Sequence, residues 1–129
     1  SNSVITSAGM TLPSGLLDSH KEVRMSELRA QYQQAFDAFV RGDYEQAVAA
    51  YQRVIERDGS FGLAYQGLAE VYSRLNRLDD AIATIRKAIE CDPNEPLFHT
   101  SLSRFLQRQG RIPEAEEASA VAARMNAIR

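Results

Sequence analysis

One spacing governs this sequence. Gly42, Asn76 and Gly110 stand 34 residues apart in succession, as do Ala47, Ala81 and Ala115, and again Val54, Ala88 and Ala122. The segment GDYEQAVAAYQRVIERD from Gly42 to Asp58 returns in type from Asn76 as NRLDDAIATIRKAIECD, and more faintly from Gly110 as GRIPEAEEASAVAARMN. A fixed period in this range marks an array in which one supersecondary unit is stacked on copies of itself.

Within a copy the apolar residues have helical period. Leu68, Ala69, Tyr72 and Leu75 recur at spacings of three and four, and Leu78, Ala81, Ile82, Ile85, Ala88 and Ile89 do so after a break. The break falls at Asn76, and at Gly42 and Gly110 in the other copies, residues that tolerate the left-handed conformation of a helix end. Each copy is therefore expected to be a helix hairpin. Asp92-Pro93-Asn94 closes the second copy, because proline cannot continue a helix, whereas Pro113 suits a helix start, where a missing N–H costs nothing. The alanines at 47, 81 and 115 are small where two helix backbones approach. One such hairpin cannot bury its own apolar stripe, and stacking three gives a continuous core.

Composition narrows the class. A chain of 129 residues suits one modest domain, and 44% hydrophobic with 25% charged residues is the balance of a globular protein. A net charge of −2 gives no overall attraction to nucleic acid or to an anionic membrane. The single cysteine, Cys91, excludes an internal disulfide and favours a reducing compartment. No apolar run reaches the roughly 20 residues of a membrane span, and the start lacks the pattern of a secretory signal. A cytoplasmic, soluble chain is expected. The opening SNSVITSAGMTLPSG is rich in Ser, Thr and Gly, so residues 1–15 are expected to be flexible, the leading Ser-Asn being compatible with an expression remnant. Residues 16–27 are expected to form a helical extension or cap, followed by repeats over 28–61, 62–95 and 96–129.

The period, with GDYEQA and AIECDPNE, resembles the tetratricopeptide repeat (TPR) from Leu28 to Arg129. The second copy carries the resemblance best, through Tyr65, Leu68, Ala69, Tyr72, Ala81, Ala88 and Pro93. The resemblance implies an all-α fold, a right-handed superhelical array of three TPR helix hairpins. The first copy departs from the family with Gln31 and Gln34 at usual apolar positions and Gly59 in place of the closing proline. The third departs with His99, Ser103 and Ser119.

Catalytic and metal-binding patterns are missing from the sequence. It holds no Gly-rich phosphate loop, G-x-S-x-G elbow, H-E-x-x-H or cysteine pair at metal spacing. His20 has only Asp18 and Glu22 nearby and reads as a solvated helix residue; a zinc site wants three or four ligands. His99 reads as a satisfied interhelix histidine and Cys91 as a small core residue. Glu114 to Glu117, EAEE, suits the first turn of a helix through the helix dipole. No enzyme, cofactor or metal is expected.

What the resemblance implies about function is a concave groove, lined by the first helix of each hairpin, that binds a peptide or protein segment. Family groove positions carry over to Tyr32, Phe36, Phe39 and Val40, then Leu63, Gln66, Glu70, Ser73 and Arg74, then Leu97, Thr100, Arg104, Gln107 and Arg108. The partner-binding candidates are Tyr32, Phe36, Phe39, Gln66, Glu70, Arg74, Thr100, Arg104 and Arg108. From Pro96 to Arg129 there are five arginines against three glutamates, while Gly62 to Glu95 holds four basic and six acidic residues. Two readings of the groove arginines stand: they hold an acidic partner, or they are solvated and paired with acids one turn away. Two stand for the aromatic stripe as well: a binding surface, or a face covered by Leu16 to Leu28, which otherwise simply lengthens the first helix. The family's clamp for acidic chaperone C-termini is missing, since its positions hold Tyr32, Phe36, Gly67, Leu97 and Ser101. The last hairpin, with Ala115, Ala118, Val121, Ala122, Met125 and Ile128, looks uncovered, which makes homo-oligomeric scaffolding the alternative function. Nucleic-acid binding through the third copy's arginines is disfavoured by the acidic chain and the lack of interleaved aromatics.

Overall fold

A computed structural model describes the backbone of residues 3–5 and 11–128 and the side chains of residues 19–128. The chain divides into two compact units, Ser1–Ala30 and Gln31–Arg129. In the first, strands β1 (Ser3–Ile5) and β2 (Thr11–Pro13) pair antiparallel with Val4 opposite Leu12. The expected flexibility of residues 1–15 concerns in part residues 1, 2 and 6–10, which lie outside the described residues. Helix α1 (Ser14–Val40) begins directly after β2 and is continuous, so Leu16 to Leu28 lengthens it. His20, Val23 and Met25 on this stretch are exposed.

The second unit is an all-α array. The end of α1 is followed by α2 (Tyr44–Arg57), α3 (Gly62–Arg74), α4 (Leu78–Cys91), α5 (Pro96–Arg108) and α6 (Ile112–Ile128). Helix α3 contacts α2, α4 and α5; α5 also contacts α4 and α6. The turns explain the period. Gly42, Asn76 and Gly110 have φ of 82°, 60° and 78°, and each ends a helix in the same way. The next residue's N–H reverses onto a carbonyl five residues back: Asp43 to Ala38 at 2.9 Å, Arg77 to Tyr72 at 2.8 Å, Arg111 to Leu106 at 2.9 Å. Pro96 opens α5, where Glu95 accepts from the Leu97 N–H at 3.2 Å. Pro113 is the second residue of α6, and Arg111 holds the Glu114 carboxyl below its usual range through a hydrogen bond.

Ala47, Ala81 and Ala115 are fully buried, as are Val54, Ile85, Ala88 and Phe105. Burying a Val or Ile side chain is worth about 1.5–3 kcal/mol relative to leaving it exposed. The first two hairpins meet at Tyr51, whose ring lies against the α3 backbone at Gly67; a Cβ there would sit 2.5 Å from Tyr51 Cε1. Burial, with Tyr32 beside it, pushes the Tyr51 phenol pKa well up. Gln31, at a usual apolar position, is half-buried with Oε1 unpartnered among the described residues. Ser103 is buried and its hydroxyl donates to the Ala115 carbonyl at 2.8 Å, tying α5 to α6.

Two expectations are corrected. Cys91 is exposed, because it is the last residue of α4 and lies at the hairpin rim, its thiol 3.7 Å from the Gly59 carbonyl. The apolar face of the last hairpin is largely covered by its own α5: Ala115, Ala118 and Ala122 are buried and Val121 and Met125 half-buried, leaving Ile128 open at 86%.

Candidate partner-binding face

The first helices of the hairpins each turn one face outward, at spacings of three and four that keep side chains in line. Because the copies repeat at 34 residues, these side chains also form columns across the helices. Phe36, Glu70 and Arg104 make one, Val40, Arg74 and Arg108 a second, and Leu63 with Leu97 a third.

The aromatic residues of α1 divide. Tyr32 is half-buried, stacked on Phe61 at 5.1 Å and edge-on to Tyr51 at 5.9 Å, and burial raises its phenol pKa. Phe39 lies 5.9 Å from Tyr44 and beneath the Arg74 guanidinium, 5.2 Å from its ring centre. Phe36 is 44% exposed and open. Packing from α2, α3 and the α2–α3 turn thus engages two of the three candidates.

The arginines are engaged too, though not with acids one turn away. Arg104 Nη2 donates to Glu70 Oε1 at 2.5 Å, from one hairpin to the one before, and to Ser101 Oγ at 3.2 Å. With Arg104 half exposed, solvent screening limits such a pair to about 0–1 kcal/mol. Arg108 Nη1 donates to the Ser73 carbonyl at 3.0 Å and to its hydroxyl, and Nη2 to Asn76 Oδ1 at 3.4 Å. All of these acceptors are neutral. Among the described residues, neither Arg108 nor Arg74 has a carboxylate partner. Gln66 is half-buried and Thr100 exposed. Leu63 and Leu97 are 42% and 43% exposed.

Sequence reasoning missed Phe61 and Gly67. An apolar residue just before a helix was the sign of the first; an isolated glycine inside a helical pattern was the sign of the second.

No group of three or more His, Cys, Asp or Glu able to hold a metal occurs among the described residues. His99 Nε2 donates to the Pro93 carbonyl at 2.9 Å. On the opposite face, clefts of about 440 Å³ and 220 Å³ recur one repeat apart, where Gln52, Tyr65 and Leu68 are replaced by Arg86, His99 and Leu102. No described helix is long and apolar enough to cross a membrane.

An all-α array of helix hairpins with an outward row on each first helix defines a helical repeat protein. The chain belongs to the tetratricopeptide repeat family, whose models match residues 38–104 and 96–120. It is 30% identical over 82 residues to the protein STIP1 homolog of Dictyostelium discoideum, covering 64% of this chain and 14% of that one. It is 28% identical over 94 residues to the photosystem I assembly protein Ycf3 of Synechococcus sp. (strain CC9605), covering 70% and 54%. The chain thus spans about half or less of these relatives. The type III secretion translocator chaperone SycD of Yersinia enterocolitica superposes with a TM-score of 0.77 at 25% identity, covering 79% of this chain and 77% of that one. SycD in complex with a peptide of the translocator YopD superposes at 0.75, also at 25% identity, covering 78% and 76%.

Proposed function

We propose that this array is a non-catalytic interaction module that binds a peptide or partner segment across α1, α3 and α5. The observation that carries it is the row of open side chains, Phe36, Leu63, Leu97, Arg74 and Arg108, on the first helices of successive hairpins. Large apolar groups left open on the first helices are more than a folded array needs for its own core. The peptide-bound structure of SycD supports the reading. A reducing, cytoplasmic setting suits a chain with one exposed thiol.

The test compares the two faces. Leu63→Glu with Leu97→Glu changes exposed groove residues; Gln52→Glu with Lys87→Glu changes the opposite face. Partners captured from native lysate should be lost with the first pair and kept with the second, at equal helicity. The reverse result overturns the proposal. A second reading, self-association through the C-terminal end, rests on the exposed Ile128 and on the SycD structure described as an alternative dimer. Light scattering that shows a strict monomer at high concentration would remove it.

A further inference from the structure

The cleft of about 440 Å³ on the opposite face lies between α2 and α4, with α3 as its floor. The repeat builds such a cleft twice, so residues that differ between the two are not required by the hairpins themselves. Thr84 is one of them. Its counterparts one repeat away, Ala50 and Ala118, are buried alanines, whereas Thr84 is 8% exposed and lines the cleft. Its hydroxyl has no hydrogen-bond partner among the described residues. A hydroxyl so nearly buried ordinarily has one.

Three further donors stand on the same walls. Gln52 Nε2 reaches the Tyr72 hydroxyl only at 3.5 Å, beyond the usual range of a hydrogen bond, so both side chains keep a proton to give. Lys87 is in no ion pair among the described residues. It follows Thr84 by three positions on the same face of α4, and helical side chains lean toward the N-terminus, which brings its ammonium back over Thr84. In the second cleft the equivalents of Tyr72, Thr84 and Lys87 are Leu106, Ala118 and Val121, and the three donors are gone. The rest of the lining differs in kind. Ile55, Leu68 and the Tyr65 ring make an apolar stretch toward the α2–α3 turn, where the Tyr65 hydroxyl stands 4.0 Å from the place of a Gly59 Cβ. Glu56, one turn beyond Gln52, adds a negative charge at that end, also in no ion pair among the described residues.

We propose that this cleft binds a small monocarboxylate with an apolar body. Its carboxylate accepts from Lys87, Thr84 and Tyr72, and its body lies along Ile55 and Leu68 toward Tyr65. A carboxylate is selected because all four polar groups at the Tyr72 end present donors, and its two oxygens together accept about four hydrogen bonds. One ammonium with Glu56 a turn away suits a single negative charge and rejects a second acid group at the far end. The volume falls in the range of about 300–1,000 Å³ typical of small-molecule sites. This site lies away from the first-helix face and stands independently of what binds there.

The probe is phenylbutyrate, compared with its carboxamide and with an analogue bearing a second carboxylate on the ring. Amide shift changes on titration read affinity and map the site. The acid is expected to shift amides of residues 52–56 and 84–87 and to bind roughly tenfold more tightly than either control, as a charge-assisted hydrogen-bond set implies. Thr84→Ala installs the residue that both flanking copies carry, and Lys87→Gln changes an exposed side chain; each should erase the acid's advantage over the carboxamide. Because that advantage compares two ligands on one variant, a small change in stability does not alter it. Glu56→Gln should bring the diacid up to the level of the acid. An acetylated tetrapeptide ending in phenylalanine separates the two sources of such a group: if it is inert the site takes a free acid, and if it binds more tightly than phenylbutyrate the site takes a chain terminus, either result supporting carboxylate recognition. Equal binding of acid and carboxamide, shifts confined to the ends of α3 and α5 around Arg74 and Arg108, or no shifts at the limit of solubility each overturns the inference.

Discussion

Gly67 offers the sharpest check on how the first two hairpins are joined. Replacing a helix-interior glycine with alanine ordinarily stabilises by about 1 kcal/mol, by relieving backbone entropy. Here the added methyl would lie 2.5 Å from Cε1 and 2.7 Å from the hydroxyl oxygen of Tyr51, far inside the ~3.5–4 Å of a favourable carbon contact. Tyr51 is 1% exposed and has the Tyr32 ring at 5.9 Å, so it has little room to yield. Overpacking of this kind costs about 1–3 kcal/mol, enough to offset the propensity gain and leave a net loss of up to about 2 kcal/mol. For an array of this size each kcal/mol of that loss lowers the melting temperature by about 4–8 °C. Urea and thermal unfolding followed at the helical band would measure it. In a Tyr51→Leu background the overlap is gone, and the same Gly67→Ala change should become neutral or stabilising. A Gly67→Ala protein more stable than the parent would refute the proposed contact between α2 and α3.

Other consequences can be checked in the same assays. Asn76→Ala should destabilise by about 1–2 kcal/mol, since φ is 60° there, while Asn76→Gly should stay within a few tenths. A double-mutant cycle of Arg104→Gln with Glu70→Gln should give a coupling below about 1 kcal/mol, because the guanidinium is half exposed. Partial desolvation of the thiol, with the charges of Glu90 and Asp58 beside it, raises the Cys91 pKa. A raised pKa leaves less thiolate at a given pH, so alkylation at pH 8 should be slower in the folded than in the unfolded chain, although Cys91 is exposed. Asp58→Asn with Glu90→Gln should speed it. A folded-state rate equal to the unfolded one would contradict that assignment.

The hairpin plan was legible because its determinants are local and repeated. The left-handed turn residues, the small alanines and the prolines each act within a few positions of where they stand, and three copies reinforced one another. Cys91 misled because a family core position becomes a rim position where the helix ends. The groove arginines misled for a different reason. Their partners lie 34 and 35 residues back, across the hairpin interface, where spacing within one helix gives no sign. Glu70 and Arg104 do fall at equivalent positions of adjacent copies, so aligning the copies by charge would have shown that pair. Nothing comparable announced that Arg108 would reach Ser73 and Asn76, since those acceptors are neutral and one is a backbone carbonyl.

Hydrogen–deuterium exchange with and without a captured partner segment tests the central proposal most directly. Slowed exchange in the Gln31 to Val40 part of α1, in α3 and in α5, with α2, α4 and α6 unchanged, is the expected result. Protection confined to α2, α4 and α6 would contradict it.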